Sequence, residues 1–158
     1  SAGVFSETID LGGSTSDGLF GDGTNTVVTV NVDDGGQGLT VVGFAWVLSF
    51  EAFAPSWGSE ARIDITSPEG TVFTFSGADA GWTNNPGIFV NGGSSSAFDG
   101  ELVAGDWEFR FYESFDDGIE PDGIYNNALF VIKAVPAPGA LALLGVAGLL
   151  GSSRRRRA

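Results

Sequence analysis

The stretch DWEFRFYES at residues 106–114 decides the fold. Trp107, Phe109 and Phe111 fall on one side of an extended chain and Glu108, Arg110 and Tyr112 on the other, the period of two that a strand with one buried face requires. A helix would spread those aromatics around its circumference. Working outward, LTVVGFAWVLSF (39–50) puts Phe44, Trp46, Leu48 and Phe50 on one face, and ARIDITS (61–67) sets Ala61, Ile63 and Ile65 against Arg62, Asp64 and Thr66. TVVTVNV (26–32), TVFTFS (71–76), GIFVN (87–91), AFDGELV (97–103) and ALFVIKA (128–134) read as further strands, separated by turn-rich runs such as DDGGQG and SPEG. About eight or nine strands, with no convincing helix among them, predict an all-β fold of two packed antiparallel sheets. GADAGWTNNPG (77–87) is the least strand-like stretch and is expected either to be mobile or to form a rim.

The chain has 158 residues, with 20 acidic and 7 basic side chains and a formal charge of −13. Residues 1–134 are enough for one domain with a single core. Four of the basic residues are Arg154, Arg155, Arg156 and Arg157, which leaves Arg62, Arg110 and Lys133 against all the carboxylates. That balance argues against a nucleic-acid partner, which is held through Lys and Arg that displace counterions, and against the body lying on an anionic lipid surface. There is no Cys and no His, which removes disulfides, thiolate chemistry, the commonest general base and the commonest transition-metal ligand. Met is absent even at position 1. Either a segment was removed before Ser1, for which a cleaved secretory signal is the simplest candidate, or the chain begins at an arbitrary boundary.

Residues 135–158, VPAPGALALLGVAGLLGSSRRRRA, form a second segment. The uncharged run from 135 to 153 would span roughly 28 Å as a helix, close to the thickness of a bilayer's hydrocarbon core. Pro136 and Pro138 separate it from the body, and the arginines that follow would remain in the cytoplasm, with the acidic body on the far side. A core helix fits poorly with four consecutive arginines, and a basic nucleic-acid patch rarely follows such an apolar run; a membrane-stop and processing signal gives every part a role. The order Pro136, Ala137, Pro138, then LALLGVAGLLG, then Arg154 to Arg157 resembles the PEP-CTERM sorting tails of exported bacterial proteins, with Ala137 where the family usually has Glu. The resemblance implies export through the inner membrane, transient anchoring by one short transmembrane helix, release by an exosortase-type processing enzyme and delivery to the cell surface or extracellular matrix.

The body has a resemblance of its own. Ser67, Pro68, Gly70 and Thr71, then Gly105, Asp106 and Trp107, then Asp116, Asp117 and Gly118 are similar in order to the P-domain jelly rolls attached to subtilisin-like proteases. This implies a jelly-roll-like sandwich and an accessory role beside a separate secreted hydrolase.

The most concentrated acidic stretch, ESFDDGIEPDG (113–123), offers Asp116, Asp117, Glu120 and Asp122 as hard oxygen ligands for Ca²⁺. The spacing is not that of an EF-hand loop, and a solvated acidic loop is the alternative. Asp10, Asp17 and Asp22 are weaker candidates, and the Asp33–Asp34 pair is expected to make a hairpin turn. Trp57 and Trp82 sit in polar, glycine-containing loops, where each either stacks on a sugar ring or folds back to cap the sandwich. Catalysis is not expected. No paired carboxylates at a fixed separation can be identified, and Ser-Lys chemistry would have to use Lys133 beside the tail. The sequence therefore predicts a non-catalytic surface or extracellular-matrix protein whose body is a binding or structural module, calcium-dependent, acting on extracellular polysaccharide or surface proteins.

Overall fold

The computed structural model describes residues 3–139, 145, 146 and 148. Among them the chain forms β1 (Phe5–Asp10), β2 (Thr15–Ser16), β3 (Val27–Val32), β4 (Leu39–Ala52), a 3₁₀ turn η1 (Gly58–Glu60), β5 (Ala61–Thr66), β6 (Val72–Ser76), β7 (Gly87–Ser95), β8 (Gly105–Glu113) and β9 (Gly123–Pro136). One sheet has the order β1-β9-β4-β7, with β2 also on β9, and the other the order β3-β8-β5-β6. All strand pairings are antiparallel.

The alternation in the sequence is what closes these sheets on each other. β8 lies between β3 and β5, and its Trp107, Phe109 and Phe111 are fully buried, as are Ala61, Ile63 and Ile65 of β5. Phe44, Leu48 and Phe50 of β4 face them from the opposite sheet beside Phe130 and Ile132 of β9. β4 and β9 pair from Leu39↔Pro136 to Ala52↔Gly123. A register shift between Val41 and Gly43 breaks the period of two, so that Val41 and Phe44 both point inward.

The molecule has two unlike ends. At one, the predicted strand AFDGELV is instead a run of turns, tied to the start of β4 by a bridge from Leu102 to Thr40 and by main-chain bonds from Val41 N–H to the Glu101 carbonyl, Gly100 N–H to that of Val41 and Val103 N–H to that of Leu39. The chain bends at Gly100, whose φ of +85° is open to glycine, and Phe98 turns in as a plug. Its ring meets Phe44 at 5.1 Å and Trp107 at 5.0 Å, both edge to face. At the other end, segments 11–26, 53–60 and 114–122 interlock through their main chains. Asp122 N–H donates to the Ser16 carbonyl, Phe53 N–H to that of Asp122, Ser114 N–H to that of Glu60 and Glu113 N–H to that of Gly18, at 2.8–2.9 Å.

β1 was not among the expected strands; as an edge strand it buries only Ile9 below a tenth of its surface, too little for a visible alternation. β9 continues through Val135 and Pro136, opposite Thr40 and Leu39, so the ladder runs past the predicted boundary at 134. Among the described residues no helix is long and apolar enough to cross a membrane. Most of the predicted apolar helix, and Arg154, Arg155, Arg156 and Arg157, lie outside the described residues.

Candidate functional site

The strand that decides the fold also builds the site. Positions 107, 109 and 111 of β8 face the interior, and the next inward position is Glu113, which is 1% exposed. Its Oε1 accepts a hydrogen bond from Ser16 Oγ at 2.5 Å, while Oε2 is buried with no partner. Asp122, immediately before β9, is 0% exposed, and among the described residues neither of its carboxylate oxygens has a hydrogen-bond partner. Asp117 Oδ2, Ser56 Oγ and the Tyr125 hydroxyl are buried and unpartnered as well. Native interiors leave few polar atoms in that condition.

The electrostatics follow from burial. Desolvation pushes the Glu113 carboxyl up to about 8, against the opposing hydrogen bond from Ser16 and with the charges of Asp122, Glu60 and Asp117 adding to the rise. Desolvation likewise raises Asp122 to about 6; the nearby Ser56 hydroxyl offsets part of this without closing a hydrogen bond of ordinary length, and Asp117, Asp116 and Asp17 push the same way as burial. Glu60 is raised by burial, opposed by the Trp57 N–H that its Oε2 accepts at 3.0 Å. Tyr125 is held well above its ordinary value by burial and then by Glu113. Arg62, whose charge opposes the rise at Glu60 and Tyr125, is engaged by the main chain: its Nη1 donates to the Ser59 and Ala61 carbonyls at 2.8 Å. Among the described residues the ion pair that forms is Arg110–Glu108, at 3.3 Å.

A surface pocket of about 280 Å³ opens beside these acids, lined by Pro55, Trp57, Glu60, Phe115 and Asp117. Trp57 is 42% exposed and Phe115 57%. Two accessible rings thus share a pocket wall with Glu60 and Asp117, an arrangement suited to a ligand with an apolar face and hydroxyl or cationic groups.

The residues singled out from the sequence separate accordingly. Asp117 and Asp122 lie close enough to Glu113 for their charges to raise its carboxyl. Asp116 is exposed and accepts the Gly118 N–H at 2.7 Å in a local turn, and Glu120 is exposed. Trp57 is on the pocket wall, whereas Trp82 occupies the position of the second alternative, folded back on the sandwich. It is 6% exposed, stacked on Phe50 at 5.7 Å and Phe89 at 5.6 Å, with Nε1 donating to the Val90 carbonyl at 3.2 Å. Phe50, Phe75 and Phe89 together offer it more apolar contact than solvent does, so it takes the capping role. Asp10 and Asp22 organise their own turns. Asp34 holds the β3–β4 turn, accepting from the N–H groups of Gly36, Gln37 and Leu39, which lowers its pKa, Leu39 contributing most and burial opposing.

Ser16, Ser56, Glu60 and Phe115 were not anticipated, because they come from segments far apart in sequence. Glu113 carried a signal: it continues the inward register of β8. Among the described residues no three acidic side chains sit at metal-ligating distance of one another. A second concavity of about 340 Å³ lies between the edge strands β6 and β7, with Trp46, Phe73 and Phe75 at its base and Trp46 Nε1 donating to Asn91 at 2.8 Å.

No protein-family model matches the chain, and no curated protein matches it. Solved structures do. A chain in the crystal structure of the Aeromonas sobria serine protease with the chaperone ORF2 aligns with a TM-score of 0.57 at 15% identity, over 85% of this chain and 28% of that one. The crystal structure of the serine protease of Aeromonas sobria gives a TM-score of 0.54 at 15% identity with the same coverage. At this identity the likeness is one of fold, and it supports the P-domain-like resemblance of the body at that level. The chain spans about 28% of the length of the chains it resembles.

Proposed function

We propose that this protein is a non-catalytic β-sandwich binding module, exported and presented at the cell surface or in the extracellular matrix, whose ligand end is the Trp57–Phe115 pocket. One observation carries the reading: exposed aromatic rings and carboxylates gather at one end of a rigid sandwich. Aromatic faces take the C–H face of a sugar ring, and Glu60 and Asp117 accept its hydroxyls. The occupant is an extracellular polysaccharide chain.

Glycan-array binding of the full chain, with Trp57→Ala and Phe115→Ala each reducing it at least tenfold, tests the reading. An empty array, or binding indifferent to both substitutions, removes it. The alternative, an accessory module of a separate secreted hydrolase, draws support from the fold likeness to a serine protease of which a similar module would be a minor part. Co-purification of a hydrolase with the native protein would favour that alternative.

The tail enters the proposal as the sorting device. Pro136, Ala137 and Pro138 form the box, and Arg154 to Arg157 stop transfer, for an exosortase-type enzyme in the inner membrane. Because the β4–β9 ladder ends at Leu39↔Pro136, cleavage after Pro136 would release the sandwich with its last strand intact. Mass spectrometry of protein from native culture should find a mature C-terminus close to that residue. An intact RRRR terminus would contradict release.

A further inference from the structure

We propose that Glu113, Asp122 and Asp117 form a divalent-cation site, selective for Ca²⁺, that fastens the three loop segments at the acidic end of the sandwich. The argument starts from oxygens without partners. Glu113 Oε2, both Asp122 carboxylate oxygens, Asp117 Oδ2 and Ser56 Oγ are all buried and unbonded. Unpaired buried oxygens of this kind are each destabilising, and a single cation among them satisfies several at once.

Charge leads the same way. Two carboxylates with 1% and 0% exposure face one another's field, and the nearby guanidinium of Arg62 is committed to main-chain carbonyls. The available donors are carboxylate and hydroxyl oxygens, which suit Ca²⁺ or Mg²⁺ rather than a metal that prefers nitrogen or sulfur. The donors are set irregularly, on strand ends and loops, and no three acids yet meet at ligand distance. Mg²⁺ demands a near-ideal octahedron, whereas Ca²⁺ accepts six to eight oxygens at variable angles. Glu113 and Asp122 are fixed by β8 and by the start of β9 and form the floor. Asp117 comes from the 114–122 loop and closes over it, with main-chain carbonyls and water completing the shell. Asp117 also lines the pocket with Trp57 and Phe115, so the cation sets the position of the pocket wall. The site stands whether or not that pocket takes a glycan.

The test uses the full chain, freed of metal with a chelator and titrated with CaCl₂. Calorimetry should show one saturable site, and at Ca²⁺ a hundredfold above Kd the melting temperature should rise by on the order of 8 °C. Glu113→Gln and Asp122→Asn should each abolish the shift, whereas Trp57→Ala should retain it. Should the acid variants fail to fold, Tb³⁺ added to the wild-type protein gives the answer: excitation of Trp57 and Tyr125 should sensitise its emission, and Ca²⁺ should quench it by displacement. No heat and no sensitised emission up to 10 mM overturns the proposal. An equal shift from Mg²⁺, persisting in both acid variants, also overturns it, since that marks screening of an acidic protein. Loss of glycan binding in Trp57→Ala with the calcium response intact separates the two readings.

Discussion

Replacing Trp82 by alanine distinguishes a structural indole from a binding one. Its ring is 6% exposed and packs within 5.2–5.7 Å, centroid to centroid, of Phe75, Phe89 and Phe50. Truncating a buried Trp typically removes about 3–5 kcal/mol, transfer and cavity terms together. The upper half of that range applies, because the site cannot collapse: Gly77 on one side and the β7 edge on the other are held by the Gly77 N–H to Ala61 carbonyl bond and by the β4–β7 ladder. Against a domain stability of about 5–15 kcal/mol, such a loss lowers the melting temperature by on the order of 12–18 °C. Trp57→Ala, at 42% exposure, should change stability by less than about 1 kcal/mol. Urea unfolding followed by far-ultraviolet circular dichroism reads both, with the denaturant slope checked for constancy. If Trp82→Ala unfolds within about 1 kcal/mol of wild type, the packing argument for its burial is refuted and the indole must be free to turn outward.

Three further outcomes follow from the same geometry. Gly93→Ala would place a methyl 2.5 Å from Trp46 Cζ2, displacing the ring and its bond to Asn91, and should cost about 1–3 kcal/mol by urea unfolding. In chelator, stability should fall as pH rises from about 4 to 8: Glu113, faced by Ser16, Asp122, Glu60, Asp117 and Tyr125, is raised from 4.5 to about 8 and Asp122 from 3.8 to about 6. The folded state holds these protons more tightly than the unfolded one, so their contribution is full below the ordinary values and lost through the raised ones; Glu113→Gln should flatten the upper limb, and an unchanged profile would contradict burial as the cause. Phe115→Ala should weaken glycan binding with little change in melting temperature, since its ring is 57% exposed.

The central strands were legible because each buries one face and alternates along its length. Ile63 and Ile65, or Trp107, Phe109 and Phe111, announce their own orientation. β1 escaped because an edge strand has little to bury, and AFDGELV misled because Phe98 is a plug on a turn, a role with no period. The polar neighbours of Trp82 leave a sugar platform and a cap both open, because its environment is set by Phe50, Phe75 and Phe89 from three other segments, contacts that local composition does not encode. The acidic loop was visible as chemistry but not as geometry. Of its acids, Asp116 and Glu120 point to solvent, while Asp122 is drawn inside by main-chain bonds to Ser16 and Phe53.

The contrast between the two ends bears on why carboxylates are buried at all. At the Phe98 end the sandwich is closed by aromatic packing, backed by main-chain bonds to the start of β4, and its three rings are fully covered or nearly so. At the opposite end the sheets are equally ready for apolar closure, with Tyr125 against Phe50 at 4.6 Å and Phe111 at 5.0 Å. A leucine or phenylalanine at 113 would continue the β8 stripe, and replacing buried charges with packed hydrophobes is often neutral or stabilising. Glu113 has one oxygen bonded to Ser16 and one without a partner among the described residues, and Asp122 has neither oxygen bonded; the cation proposed above would join them and turn two costly groups into a clamp across three loops. On that account the metal-free double variant Glu113→Leu, Asp122→Asn should be more stable than the metal-free wild type and indifferent to Ca²⁺. A double variant less stable than the apo protein would show that the carboxylates already contribute to folding without any ion.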